Sequence, residues 1–317
     1  MANVEKQPSI IAILGTGVWG SALGKLLSNN QHQVLFWSRS NSTTLTEIIP
    51  HSSVIVSAIS IKGVQSTINK LKNLNLTPET IIVTATKGLD PDTTKTPSQI
   101  WQQAFPHNPV VVLSGPNLSK EIDRDLPAAT TVASNSVVAA ETIQAIFSAD
   151  LFRVYVNQDP LGTELGGTLK NIMAIAAGVC DGMKLGTNAK AALLTRALPE
   201  MIQVGTHLGA KAETFFGLSG LGDLIATCDS PLSRNYQVGY GLAQRKTLEE
   251  ILSDLEGTAE GINTTQVLIK IAHQKQIAVP IAHQVNLLLK GKITPQQAVK
   301  ALMARELKAE FHHLDGK

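Results

Sequence analysis

The sequence predicts an α/β protein: a mostly parallel sheet domain followed by an all-helical C-terminal domain. Up to about Asn157, short β-branched runs alternate with helical stretches, the pattern of a parallel sheet covered by helices on both faces. Beyond Asp159-Pro160 the strand pattern stops. A length of 317 residues exceeds what one ordinary core accommodates, so the two patterns read as two domains, residues 1–158 and 159–317.

The first strand, Ile10 to Leu14, runs straight into Gly15-Thr16-Gly17-Val18-Trp19-Gly20. A buried strand that breaks into a glycine turn and opens a helix seats the pyrophosphate of a dinucleotide, which makes the first domain Rossmann-like. Gly15 permits the tight turn, Gly17 removes a Cβ from the path of the phosphate, and Gly20 lets the helix pack closely on the strand. The helix N-terminus adds unpaired N–H groups and the positive end of a dipole. Ala22, Leu23, Leu26 and Leu27 follow at helical spacing and Gln33 to Trp37 gives a second strand, the context without which a GxGxxG is only a turn. Further strands are expected at residues 54–58, 80–85, 110–113, 130–133 and 152–156. Ligands collect at the carboxyl ends of such strands. There the sequence places Ser38-Arg39-Ser40, Ser57 and Ser60, Thr86-Lys87-Gly88 and Ser114-Gly115-Pro116-Asn117.

In the second domain Asp159 can cap a helix with Pro160 at its first position, running to about Val179. Helical periodicity then covers residues 188–208, 234–243, 248–255, 263–276, 281–289 and 295–303. Pro199 should kink or break the first of these.

Composition excludes several classes of function. Lys+Arg 27 against Asp+Glu 25 gives no general pull toward nucleic acid or a membrane surface. Cys180 and Cys228, far apart and in no metal spacing, suit reduced thiols in a cytosolic protein. No HExxH or comparable ligand pair occurs, so no metal is expected, and His312-His313 reads as a frayed polar tail. No apolar run reaches the ~20 residues that span a bilayer. A cytoplasmic protein without membrane insertion is expected, and a homodimer is compatible with the sequence.

A nicotinamide enzyme that reduces a carbonyl needs a proton donor beside the oxygen, because hydride arrival leaves an alkoxide there. No histidine has a supporting context, whereas Lys170 lies in Leu165-Gly166-Gly167-Thr168-Leu169-Lys170-Asn171-Ile172. Two adjacent glycines cost a helix about 1 kcal/mol each relative to alanine, so the space they leave should be used, and the Lys170 amine leans toward it. The bland alternative is a lysine snorkelling to water. Lys87 ends a strand before Gly88, so its amine should enter the same cleft and disfavour the charge on Lys170. Asp223 is the only charge in a small apolar run from Gly217 to Thr227; it is either a helix cap or a buried carboxylate paired with Lys170. Ser233-Arg234-Asn235 precedes a helical stretch, so Ser233 can cap it while Arg234 and Asn235 offer donors to an anion at its positive end.

These motifs, in this order and over nearly the whole chain, resemble those of NAD(P)-dependent sn-glycerol-3-phosphate dehydrogenases. The resemblance implies interconversion of dihydroxyacetone phosphate and sn-glycerol 3-phosphate, a small phosphorylated three-carbon substrate that supplies phospholipid backbones. It implies Lys170 as proton donor or acceptor, with Lys87 and Asp223 ordering the site. Gly115, Asn117, Asn171, Thr227, Ser233, Arg234 and Asn235 would join Lys87 and Asp223 in holding the substrate. Val18, Trp19, Arg39, Ser119 and Glu260 would line the cofactor with Gly15, Gly17 and Gly20, Lys87 and Arg234 standing close to both ligands. Two features depart from the family pattern. Residues 41–53 form a shorter connection between the second and third strands, which is expected to open part of the adenosine pocket, and Asn117 stands where threonine or serine is common.

Cofactor choice has a physical reading. An enzyme devoted to NADH usually places Asp or Glu after the second strand to accept from the ribose hydroxyls, whereas Ser38-Arg39-Ser40 offers donors and a cation. NADPH is therefore expected to be preferred over NADH. A related reductase for another small 2-oxo or hydroxy compound would not need the Ser233-Arg234-Asn235 grip, and a noncatalytic nicotinamide sensor would not need polar groups converging on Lys170.

Overall fold

The computed structural model describes residues 8–40, 43–74, 76–307 and 309–310. His312-His313 and the first two residues of the 41–53 connection lie outside them.

Among the described residues, seven strands, β1 (Ile10–Leu14), β2 (Gln33–Trp37), β3 (Val54–Ser57), β4 (Ile81–Thr84), β5 (Val110–Ser114), β6 (Ala128–Ala133) and β7 (Phe152–Asn157), form one sheet in the order β2-β1-β3-β4-β5-β6-β7. Among the described residues, β5 and β6 are the one strand pair that runs antiparallel. The central strands are continuous apolar runs because both their faces are covered. Ile11, Ile13, Val56, Val83, Val111 and Leu113 face α1 (Val18–Asn29) and α6 (Val137–Phe147). Ala12, Leu14, Ile55, Ile82 and Val110 face α2 (Leu45–Ile48), α3 (Ile61–Leu71) and α4 (Pro97–Ala104). The strand order reverses between β1 and β3, the switch point at whose carboxyl edge such sheets bind their ligands. The short connection after β2 holds α2 and a 3-10 turn, which bury Leu45, Ile48 and Ile49. A short α5 (Ser119–Ile122) follows β5.

The remaining helices are α7 (Pro160–Gly182), α8 (Thr187–His207), α9 (Asp223–Cys228), α10 (Arg234–Ala243), α11 (Leu248–Asp254), α12 (Glu260–Lys275), α13 (Pro280–Leu289) and α14 (Pro295–Met303). α7 is the hub. It is buried on almost every side, packing on α8, α9, α10, α12 and also on β5 of the sheet. Asp159 caps it by accepting the Gly162 N–H at 2.9 Å, and its second oxygen takes Lys211 N–H and Thr214 Oγ1, each at 2.8 Å. α10 lies so near α7 that a Cβ on Gly178 or Gly239 would run into the other helix's backbone.

Two sequence expectations need correction. α8 continues unbroken through Pro199, held by the buried Ala197, Met201 and Val204 around it, so the proline does not end the helix. Residues 218–222 form a single π turn that leads into α9, a helix absent from the periodic stretches because six residues are too few to display a 3.6 period.

A buried carboxylate at α4 helps join the two halves. Glu164 on α7 accepts the Ser98 N–H at 2.9 Å and Ser98 Oγ at 2.5 Å, at the first turn of α4. Burial pushes its pKa up to about 7, against the opposing bonds from Ser98 and Thr96. A carboxyl of folded value about 7 and ordinary value 4.5 holds its proton better when folded, so stability falls as pH rises between these values. The full effect is on the order of 3 kcal/mol. We expect the melting temperature to drop by several degrees between pH 5 and about 7.5, and Glu164→Gln to flatten the drop. Glu200, also pushed up to about 7 by burial, leaves part of the slope in place. An identical slope in the variant would show that Glu164 is ionised throughout.

Candidate active site

The cofactor side is built at the β1–α1 turn. Gly15 has φ +111°, a conformation L residues avoid, and its N–H donates to the Trp37 carbonyl at 2.8 Å. A Cβ on Gly20 would collide with the Gly15 carbonyl, so the helix sits directly on the turn. Gly17 is the N-cap of α1 and makes no side-chain cap, and a Cβ there would meet nothing within 4 Å. An uncapped helix mouth facing open space fits a pyrophosphate. Val18 stands exposed at this mouth, and Trp19 reaches across to β4, its Nε1 donating to the Ala85 carbonyl at 3.1 Å. Arg39 is exposed after β2, next to a Ser38–Ser40 hydroxyl pair 3.2 Å apart, and Ser119 is half-buried at the start of α5. Glu260 opens α12 but reaches into the sheet half, accepting the backbone N–H of Ile61 at the start of α3. Burial raises its pKa, while Arg234 and Lys62 pull the other way.

The reacting side centres on Asp223. Its Oδ2 accepts from Lys87 Nζ at 2.5 Å and its Oδ1 faces Lys170 Nζ at 2.9 Å. Thr227, one turn along α9, is wedged between the partners, its Oγ1 2.5 Å from Lys170 Nζ and 3.1 Å from Asp223 Oδ1. Lys87 Nζ also approaches the Gly115 carbonyl at 3.5 Å. One carboxylate thus serves two ammonium groups, one from each half of the chain, leaving one net positive charge. Asp223 is not the helix cap: that position belongs to Gly222, and the carboxylate is engaged by the lysines and Thr227. Burial pulls Lys170 down to about 8; Asp223 opposes this and the Lys87 charge reinforces it. For Asp223, burial pushes up, but the two cations outweigh it and hold the carboxyl below its ordinary value.

The space left by the glycines before Lys170 is used by neighbouring elements. A Cβ on Gly166 would lie 2.8 Å from the Ser219 carbonyl, in the segment that delivers Asp223. A Cβ on Gly167 would strike Ser114 Oγ and lie 3.4 Å from Lys87 Cε. The bare helix surface therefore admits the segment that leads to Asp223 and the stem of Lys87.

Asn171, one residue on, accepts from Asn235 Nδ2 at 2.9 Å, and Asn235 Oδ1 accepts the Gly261 N–H at 2.9 Å. Ser233 caps α10, accepting the Tyr236 N–H at 3.2 Å. Arg234 follows at the first position of α10, exposed, with its guanidinium against Gly257. Asn117 turns toward β6, where it accepts from Thr130 Oγ1 at 2.8 Å and donates to the Ala129 carbonyl at 3.3 Å. Sequence reasoning missed Thr168 and Asn263, which bond the backbone of Gly88 and Leu89. Neither carries a signal beyond being polar near a motif.

Residues 159–300 match the family model of the NAD-dependent glycerol-3-phosphate dehydrogenase C-terminus, and residues 10–50 and 40–140 match that of the N-terminus. The chain belongs to the NAD-dependent glycerol-3-phosphate dehydrogenase family. The two N-terminal stretches meet in the short connection between β2 and β3. The chain is similar to a glycerol-3-phosphate dehydrogenase (NAD(P)+) of Acaryochloris marina, 66% identical over 95% of this chain and 97% of the relative. A Synechocystis relative of the same description is 63% identical over 99% of both chains. Among solved structures, glycerol-3-phosphate dehydrogenase from Coxiella burnetii is 32% identical with a TM-score of 0.90, covering 94% of this chain and 99% of that one. In this member of the dehydrogenase family the glycine turn follows β1 and the Lys87 turn follows β4, both at the carboxyl edge of the parallel strands.

Proposed function

We propose that this chain interconverts dihydroxyacetone phosphate and sn-glycerol 3-phosphate in the cytoplasm, using NADPH or NADH, and so supplies the backbone of glycerophospholipids. Residues 1–158 serve as the cofactor domain and residues 159–317 as the substrate and catalytic domain. The observation that carries the reading is Asp223 shared between Lys87 and Lys170. A nicotinamide, when bound, supplies hydride to the ketone carbon or accepts it from the alcohol. Lys170 gives its proton to the carbonyl oxygen in reduction and takes it back in oxidation. A pKa of about 8 leaves it mostly protonated at neutrality yet able to release that proton. Lys87 keeps positive charge beside the oxygen as negative charge develops. Asp223 and Thr227 fix the Lys170 nitrogen, and Arg234, with Ser233 and Asn235 at the N-terminus of α10, takes the phosphate.

The test follows NADPH oxidation with dihydroxyacetone phosphate beside unphosphorylated dihydroxyacetone. A kcat/KM at least about 100-fold higher for the phosphorylated ketone is expected, the worth of charged hydrogen bonds to a phosphate. Equal values would remove the phosphate grip from the reading.

The exposed Arg39 with Ser38 and Ser40 supports a preference for NADPH, whose 2′-phosphate suits a cation and hydroxyl donors. Steady-state kinetics should give the larger kcat/KM to NADPH. Arg39→Ala should narrow the gap between the cofactors, and an unchanged ratio would refute the assignment.

A further inference from the structure

Lys87 reaches Asp223 from a backbone turn that is held on both sides by the helical half. Gly88, with φ +131°, donates its N–H to Thr168 Oγ1 on α7 at 3.1 Å, and Thr168 is fully buried. One residue on, the Leu89 carbonyl accepts from Asn263 Nδ2 in the first turn of α12 at 2.8 Å. From this turn the Lys87 stem crosses the bare surface of Gly167 to place Nζ on Asp223 Oδ2. A buried N–H must find an acceptor, so the turn cannot keep this position if Thr168 offers none.

We propose that Thr168 and Asn263 are positioning residues: a two-point clamp that fixes the Lys87 turn and so keeps the Asp223 carboxylate divided between two lysines. This rests on the reading of Lys87 and Lys170 as parts of the reductase site. If the clamp opens, Lys87 withdraws and Asp223 serves Lys170 alone. The charged and titratable groups acting on Lys170 are Asp223 and Cys228 from α9 and Lys87 from the β4 turn. Loss of the like charge and a closer carboxylate both make Lys170 hold its proton more tightly.

The experiment compares Thr168→Val, which keeps shape but not the acceptor, with Thr168→Ser, which keeps the acceptor, and with Asn263→Ala, each in the full chain. Two quantities are read: kcat for dihydroxyacetone phosphate, and the Lys170 titration midpoint from 13Cε-lysine NMR of the nucleotide-free protein. We expect Thr168→Val to lower kcat about tenfold, equivalent to ~1.4 kcal/mol of transition-state stabilisation, and to move the midpoint upward. Thr168→Ser should restore both, and Asn263→Ala should shift both in the same directions. The clamp is refuted if folded Thr168→Val keeps the wild-type midpoint, whatever its kcat, or if Thr168→Ser is as impaired as the valine variant. Should Thr168→Val fail to fold, Asn263→Ala decides, with an unmoved midpoint again refuting it. A wild-type protein inactive on dihydroxyacetone phosphate would overturn the reductase reading, while a midpoint that still moved in the variants would leave the clamp standing.

Discussion

Replacing Lys170 with methionine is expected to lower kcat for dihydroxyacetone phosphate reduction by about 10²–10⁴-fold, the usual contribution of a positioned general acid. Methionine fills the space of the lysine stem without an ammonium, and Asp223 retains Lys87 at 2.5 Å, so the buried carboxylate is not left alone. NADPH affinity should stay within a few-fold of wild type, since the Lys170 amine bonds Asp223 and Thr227 and not the glycine turn. The pH profile gives a second reading of the same variant. In the wild type, reduction needs protonated Lys170 and should decline as pH rises through about 8, while oxidation needs the neutral amine and should rise through the same value. In Lys170→Met that inflection should vanish from both directions. Residual turnover above about a tenth of wild type would take Lys170 out of the proton-transfer role, because it exceeds what water could supply in place of a lost general acid.

What could be read from residues alone follows a physical line. The strand, glycine turn and helix were legible because buried parallel strands are apolar throughout and because Gly15 occupies a conformation closed to other residues. Lys170 and Asp223 were legible as isolated charges among small apolar residues, and the two glycines showed that something comes close to α7. Which groups come close was not legible. The Ser219 carbonyl and the Lys87 stem lie 53 and 80 residues from Gly166 and Gly167, and no local periodicity links them. The π turn over 218–222 was hidden for a related reason: a glycine-rich stretch reads as loop until its packing against α7 is seen. Thr168 and Asn263 show the limit most clearly, since an exposed and a buried side-chain bond to backbone begin from the same residue types. Pro199 is the converse case: of the kink or break that the local rule allows, the break does not occur, and α8 runs on among the buried Ala197, Met201 and Val204.

Arg234→Ala should raise the KM for dihydroxyacetone phosphate about 10–100-fold while lowering kcat much less, the pattern of a lost contact to a group remote from the reacting carbon. The geometry isolates the guanidinium from the helix that carries it. Ser233 caps α10 through the Tyr236 N–H, and Asn235 ties the same turn to Asn171 and to Gly261, so the N-terminus of α10 keeps its place without Arg234. The side chain itself is exposed against Gly257 and acts electrostatically on Glu260. Arg234→Lys should recover only part of the loss, because an ammonium keeps the charge but not the paired hydrogen bonds. Unphosphorylated dihydroxyacetone provides the control: it has nothing for the guanidinium to hold, so its slow turnover should be the same in wild type and variant. A KM that does not move, or an equal loss with both ketones, would place the phosphate elsewhere and leave Arg234 with only its effect on Glu260.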